Sequence, residues 1–125
     1  MKRSELPAEV DRRPLSFADL GEVLGALAGE RVIVRADGLA DSLVDSEPPG
    51  LSFVGRLAVD AGTRSDVAEL TIGDPQGGAG GRLRISASSL CEATLSTFDG
   101  NDFVIVRVRL PGVSIQLQDE NSGAL

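Results

Sequence analysis

The chain has 125 residues, a net charge of −7 and no histidine, tryptophan or tyrosine. Without histidine, no side chain has an unperturbed pKa near neutrality and no imidazole can ligate a metal, so general-base and nucleophile-activating chemistry loses its usual carrier. The acid surplus works against a nonspecific grip on nucleic acid or an anionic membrane.

Residues 1–14 are polar, mixed in charge and carry two prolines, and they read as a flexible N-terminal arm. A helix is predicted over residues 16–28. Ser16 is its N-cap, Asp19 completes an Asp variant of the capping box, and Leu15 faces Leu20 as a hydrophobic staple. Phe17, Leu20, Val23, Leu24 and Leu27 recur at helical spacing, and Gly29 supplies the stop.

From Glu30 the period changes to two. Arg31–Arg35 is a strand ending at Asp37-Gly38, and residues 39–51 form an acidic loop. A second strand alternates Phe53, Gly55, Leu57 and Val59 with Val54, Arg56 and Ala58, and Gly55 permits a bend or a close backbone approach. Val67–Ile72 is a third strand. Gly73–Gly81 is a flexible connection. A fourth strand alternates Leu83, Ile85 and Ala87 with Arg82, Arg84 and Ser86. Glu92–Phe98 is a fifth, followed by a hairpin turn at Asp99-Gly100-Asn101-Asp102. The clearest alternation sets Val104, Val106, Val108 and Leu110 against Phe103, Ile105, Arg107 and Arg109. Pro111-Gly112 then turns the chain into Val113, Ile115 and Leu117. These elements predict a single mainly β domain over residues 15–118 with one N-terminal α-helix, and a frayed tail over 119–125.

The segments Leu27–Gly38, Phe53–Asp60 and Ala68–Ile72 give the order helix, strand, Asp-Gly, glycine-bent strand. That order resembles the Sm-like family of SH3-type small barrels over about half of the chain. The resemblance implies a small antiparallel barrel, here with an extra C-terminal hairpin, and a tendency to form rings or other oligomers. Two departures bear on function. Ala61–Ser65 lacks the asparagine with which such proteins read RNA, and Ser86-Ala87-Ser88-Ser89 stands where an Arg-Gly pair is usual. The family's RNA-binding residues are therefore not carried over.

No residue set specifies catalysis, a metal or a cofactor. Gly77–Gly81 lacks the Lys-Ser or Lys-Thr and the helix of a phosphate loop, and reads as a flexible connection. Asp37, Asp41, Asp45 and Glu47 lack EF-hand spacing and read as a solvated loop. Cys91, the single cysteine, has no histidine to activate it and reads as a small core hydrophobe. A lone thiol fits a reducing compartment. The basic start of the chain is not followed by an apolar signal core, and no run approaches a membrane span. A cytoplasmic protein without membrane attachment is the expectation.

Two surface features remain. Arg82 with Arg84, and Arg107 with Arg109, each project from one strand face, and adjacency of those strands would gather four guanidinium groups into an anion- or partner-binding patch. Phe103 and Ile105 oppose the valine stripe, so their strand is apolar on both sides at its start, and either the helix covers them or they form a subunit interface. The expected function is a noncatalytic protein-interaction or assembly module, a homo-oligomer or one part of a complex. The alternative is an Sm-like nucleic-acid binder using the arginine patch, disfavoured by net charge.

Overall fold

The computed structural model describes residues 2–38, 50–59, 66–73 and 81–119. The stretch 39–49 of the acidic loop, the segment 60–65, the glycine-rich stretch 74–80 and the tail beyond Asp119 lie outside the described residues. Within them, eight antiparallel strands form one sheet with a single α-helix. The strands are β1 (Arg13–Pro14), β2 (Arg31–Gly38), β3 (Gly50–Val59), β4 (Val67–Gly73), β5 (Gly81–Ser86), β6 (Glu92–Phe98), β7 (Phe103–Leu110) and β8 (Val113–Asp119).

The helix α1 (Phe17–Leu27) starts where its cap chemistry places it. Ser16 Oγ accepts from the Asp19 N–H at 3.1 Å, and Asp19 Oδ2 accepts from the Ser16 N–H at 3.4 Å. These bonds satisfy two donors at the helix start that have no intrahelical partner. Gly29 ends the helix at φ +88°, a left-handed conformation that costs glycine nothing. The Gly29 N–H donates to Leu57 O at 2.7 Å, and the Leu57 N–H donates back to Glu30 O at 2.9 Å, so the helix exit is stapled to β3. Leu20, Val23, Leu24 and Leu27 are buried, and Phe17 packs half-buried beside them. Gly21 and Gly25 lie on the exposed side, where an added Cβ meets nothing within 4 Å. Gly21→Ala and Gly25→Ala are each expected to stabilise the fold by about 1 kcal/mol, read from the urea midpoint of the far-ultraviolet circular dichroism signal.

One face of the sheet and the helix stripe share a single core. Val32, Leu57, Leu70, Ile72, Ile85, Leu95, Val104, Val106 and Leu117 are each at most 1% exposed. Strand alternation therefore turns the other residues of each strand to the outer face.

The strand order, β1-β6-β7-β8-β2-β3-β4-β5, bears out the mainly β domain with one helix but does not close into the expected SH3/Sm-like barrel. Among the described residues the sheet is open, with β5 at one edge and the short β1 beside β6 at the other. The chain passes from β5 to β6 through a 3-10 turn at Ala87–Ser89 without pairing the two strands. Alternation reports that one face is buried, which holds equally for a closed barrel and a curled open sheet. The C-terminal hairpin is also not an appendage: β8 lies between β7 and β2, bonded to both, near the centre of the sheet.

The N-terminal segment, expected as a loose arm, runs along the β6 edge. The Val10 N–H donates to Thr97 Oγ1 at 3.0 Å, the Thr97 N–H to Val10 O at 2.8 Å, and Leu6 is 4% exposed. Arg3 reaches across to Asp119, its Nη1 2.7 Å from Oδ1, and to Glu30 Oε2 at 2.7 Å. The hydrogen bonds to Asp119, with a smaller part from Glu30, hold the Arg3 guanidinium above its ordinary pKa against the opposing effect of burial. The anchors are polar and distant in sequence, so hydrophobic periodicity carries no trace of them. Cys91 is exposed rather than in the core, because it stands where the chain leaves the 3-10 turn and enters β6.

Candidate functional site

The outer face of β6, β7, β8, β2 and β3 is the most distinctive surface of the described residues. Register places Ile105, Gln118, Ile33 and Val54 in one row across β7, β8, β2 and β3. Phe98 and Phe103 oppose one another across β6 and β7, with ring centroids 5.5 Å apart. Val54 is 42% and Phe98 41% exposed, whereas Ile105 is shielded within the single chain at 8%. Phe103 and Ile105 thus lie on the face away from the helix, and Ile105 is not part of the main core.

Arginines flank this row. Arg31, Arg35, Arg56, Arg107 and Arg109 alternate onto the outer face against Asp37 and Glu92. Arg35 Nε pairs with Asp37 Oδ2 at 3.1 Å, and Arg56 Nη1 donates to Gly29 O at 2.8 Å. The face is therefore basic in a chain whose net charge is −7.

The four arginines expected to form one patch divide. β8, β2, β3 and β4 separate β7 from β5, so the condition of strand adjacency is not met. Arg84 pairs with Glu69 at 3.4 Å, and Arg82 is exposed on the β5 edge strand. Arg107 and Arg109 instead line a cleft of about 260 Å³ with Arg12, Pro14, Glu92, Thr94 and Ser114.

Arg12 escaped sequence reasoning because it lies in the segment read as a loose arm. Its backbone has φ +49°, a left-handed conformation that costs a non-glycine residue about 1–2 kcal/mol. The hydroxyl of Ser96, completely buried, organises this corner. Ser96 Oγ accepts from the Arg12 N–H at 3.0 Å and from Arg107 Nη1 at 3.2 Å. A buried hydroxyl with these partners fixes one arginine by its backbone and the other by its guanidinium.

Among the described residues, no group of three or more histidine, cysteine, aspartate or glutamate side chains is placed to hold a metal ion. No helix among them is long and apolar enough to cross a membrane. Comparison with protein-family models, with curated proteins and with solved structures finds no significant match.

Proposed function

We propose that the chain is a noncatalytic assembly module whose outer sheet face binds a second copy of the same chain. The observation that supports this reading is an outer sheet face with Val54 and Phe98 exposed, set among arginines, on a protein whose charge is otherwise acidic. Exposed apolar side chains gain free energy when covered. The arginine-rich face leaves the acid excess on the rest of the molecule, so a second copy offers a surface of complementary charge. Such a contact is heterologous, and heterologous contacts close into rings or extend into filaments. A cytoplasmic setting accords with one exposed, unpaired thiol.

Light scattering checks the proposal. The wild type is expected to show a mass above that of the 13.0 kDa monomer that falls with added salt. Val54→Glu and Phe98→Glu, at exposed positions, are expected to give folded monomers. A wild type that stays monomeric at high concentration overturns the proposal.

The Phe98–Phe103 pair, on the same outer face as the arginines, favours one second reading, a single-stranded nucleic acid lying on that face, since aromatic rings and guanidinium groups both stack on bases. With no tryptophan or tyrosine the protein hardly absorbs at 280 nm, so a strong band at 260 nm in purified protein would favour this reading over self-association.

A further inference from the structure

The cleft at the β1, β6 and β7 end of the outer face holds charge that the fold does not neutralise. None of Arg12, Arg107 and Arg109 has a carboxylate oxygen within 4.0 Å among the described residues. Acids outnumber bases in this chain, and Glu92 stands opposite Arg109 in register, yet the two do not form an ion pair. Gathering like charges is unfavourable, and an anion between them reverses the sign of that interaction. The site is also built rather than merely charged. Ser96 ties Arg107 to the backbone of Arg12, and Arg12 is held in a left-handed conformation at the cleft wall.

We propose that this cleft binds a phosphate-type dianion, with Arg12, Arg107 and Arg109 as the charged donors and Ser96 as a positioning residue. In the lining, three guanidinium groups face the one carboxylate of Glu92, a surplus of two positive charges, while Asp11 stands behind the wall with its Oδ1 accepting from Ser96 Oγ at 3.5 Å. A phosphate monoester, at about −1.5 to −2 near neutrality, matches that surplus, whereas a carboxylate carries half of it. Planar guanidinium forks suit tetrahedral oxyanions, and the hydroxyls of Thr94 and Ser114 add neutral donors at the wall. A volume of about 260 Å³ accommodates a phosphate with a short stem, and is smaller than the ~300 Å³ at which pockets for drug-sized ligands begin. The phosphate group can come from a small phosphorylated compound or from a phosphorylated side chain of another protein.

The test is titration of the full chain with inorganic phosphate at constant ionic strength, followed by the phosphorus resonance and by thermal unfolding. Acetate serves as the monoanionic control. The expected result is a saturable rise in Tm and broadening of the resonance, with a roughly 100-fold shift of the folding equilibrium when phosphate stands at 100 times its Kd. The double variant Arg107→Gln, Arg109→Gln is expected to abolish the response, and Arg82→Gln, on the distant edge strand, to leave it intact. Ser96→Ala is expected to weaken binding at least several-fold with every arginine still present, an effect that a diffuse charge patch would not produce, while Ser96→Thr restores it. If Ser96→Ala does not fold, Arg12→Gln at an exposed position takes its place. The response should persist in Val54→Glu, which separates this site from self-association. Tighter binding of a phosphoserine peptide than of free phosphoserine assigns the ligand to a protein partner, and equal binding assigns it to a small compound. A response that does not saturate, that acetate matches, or that survives loss of Arg107 and Arg109 overturns the proposal.

Discussion

Arg3→Ala is expected to lower the stability of the fold by about 3 kcal/mol, the lower end of the cost of breaking a buried ion pair. The lower end applies because the Arg3 side chain is 25% exposed while that of Asp119 is 7% exposed. Both Asp119 oxygens receive the guanidinium, and Oδ2 also accepts from the Val104 N–H at 2.9 Å, so the carboxylate ties the N-terminal segment to β7 and β8. Removing the guanidinium leaves a carboxylate desolvated by burial with part of its compensation gone. It also releases the anchor that holds Leu6 in the core. Arg3→Lys keeps the charge without the two-pronged geometry and should fall between the two. Fluorescence has no tryptophan to follow, so urea unfolding by far-ultraviolet circular dichroism is the measurement. An unchanged midpoint for Arg3→Ala would contradict the role assigned to this anchor.

Gly55→Ala should be at least as damaging, at about 3 kcal/mol, the upper end of the usual cost of overpacking. An added Cβ at Gly55 would lie 2.9 Å from Gly73 N, 3.0 Å from Gly73 O and 3.0 Å from Ile72 Cγ2. Two of these obstacles are backbone, so a side-chain rotation cannot relieve the clash and β3 must move away from β4. Gly73→Ala provides the control, because its Cβ meets nothing within 4 Å. The same denaturation experiment checks both substitutions, and comparable midpoints for the two would show that the close approach is not what Gly55 serves.

Local chemistry was legible wherever a few neighbouring residues decide the outcome. The capping box of Ser16 and Asp19, the buried stripe of α1, the alternation in β2 to β8 and the close approach at Gly55 follow from side-chain spacing and from a missing Cβ. The candidate site was legible in part. Arg107 and Arg109 share a strand face by alternation alone, but the separation of Arg82 and Arg84 from them depends on which strands pair. Cys91 illustrates the same boundary, since a small apolar residue type says little about a position at a strand entrance.

By itself, the sequence determined that this protein has one capped helix, a set of short strands and an aliphatic core, because 3.6- and 2-residue periods state which side of each element is buried. Only the tertiary structure decided that the sheet is open among the described residues, that β8 enters between β7 and β2, and that residues 7–14 dock along β6. Strand pairing and polar anchoring are contacts between residues far apart in the chain, and no local period encodes them. The cleft follows from that docking: Arg12 meets Arg107 and Arg109 only after the buried Ser96 hydroxyl, more than eighty residues away, has bonded to its backbone.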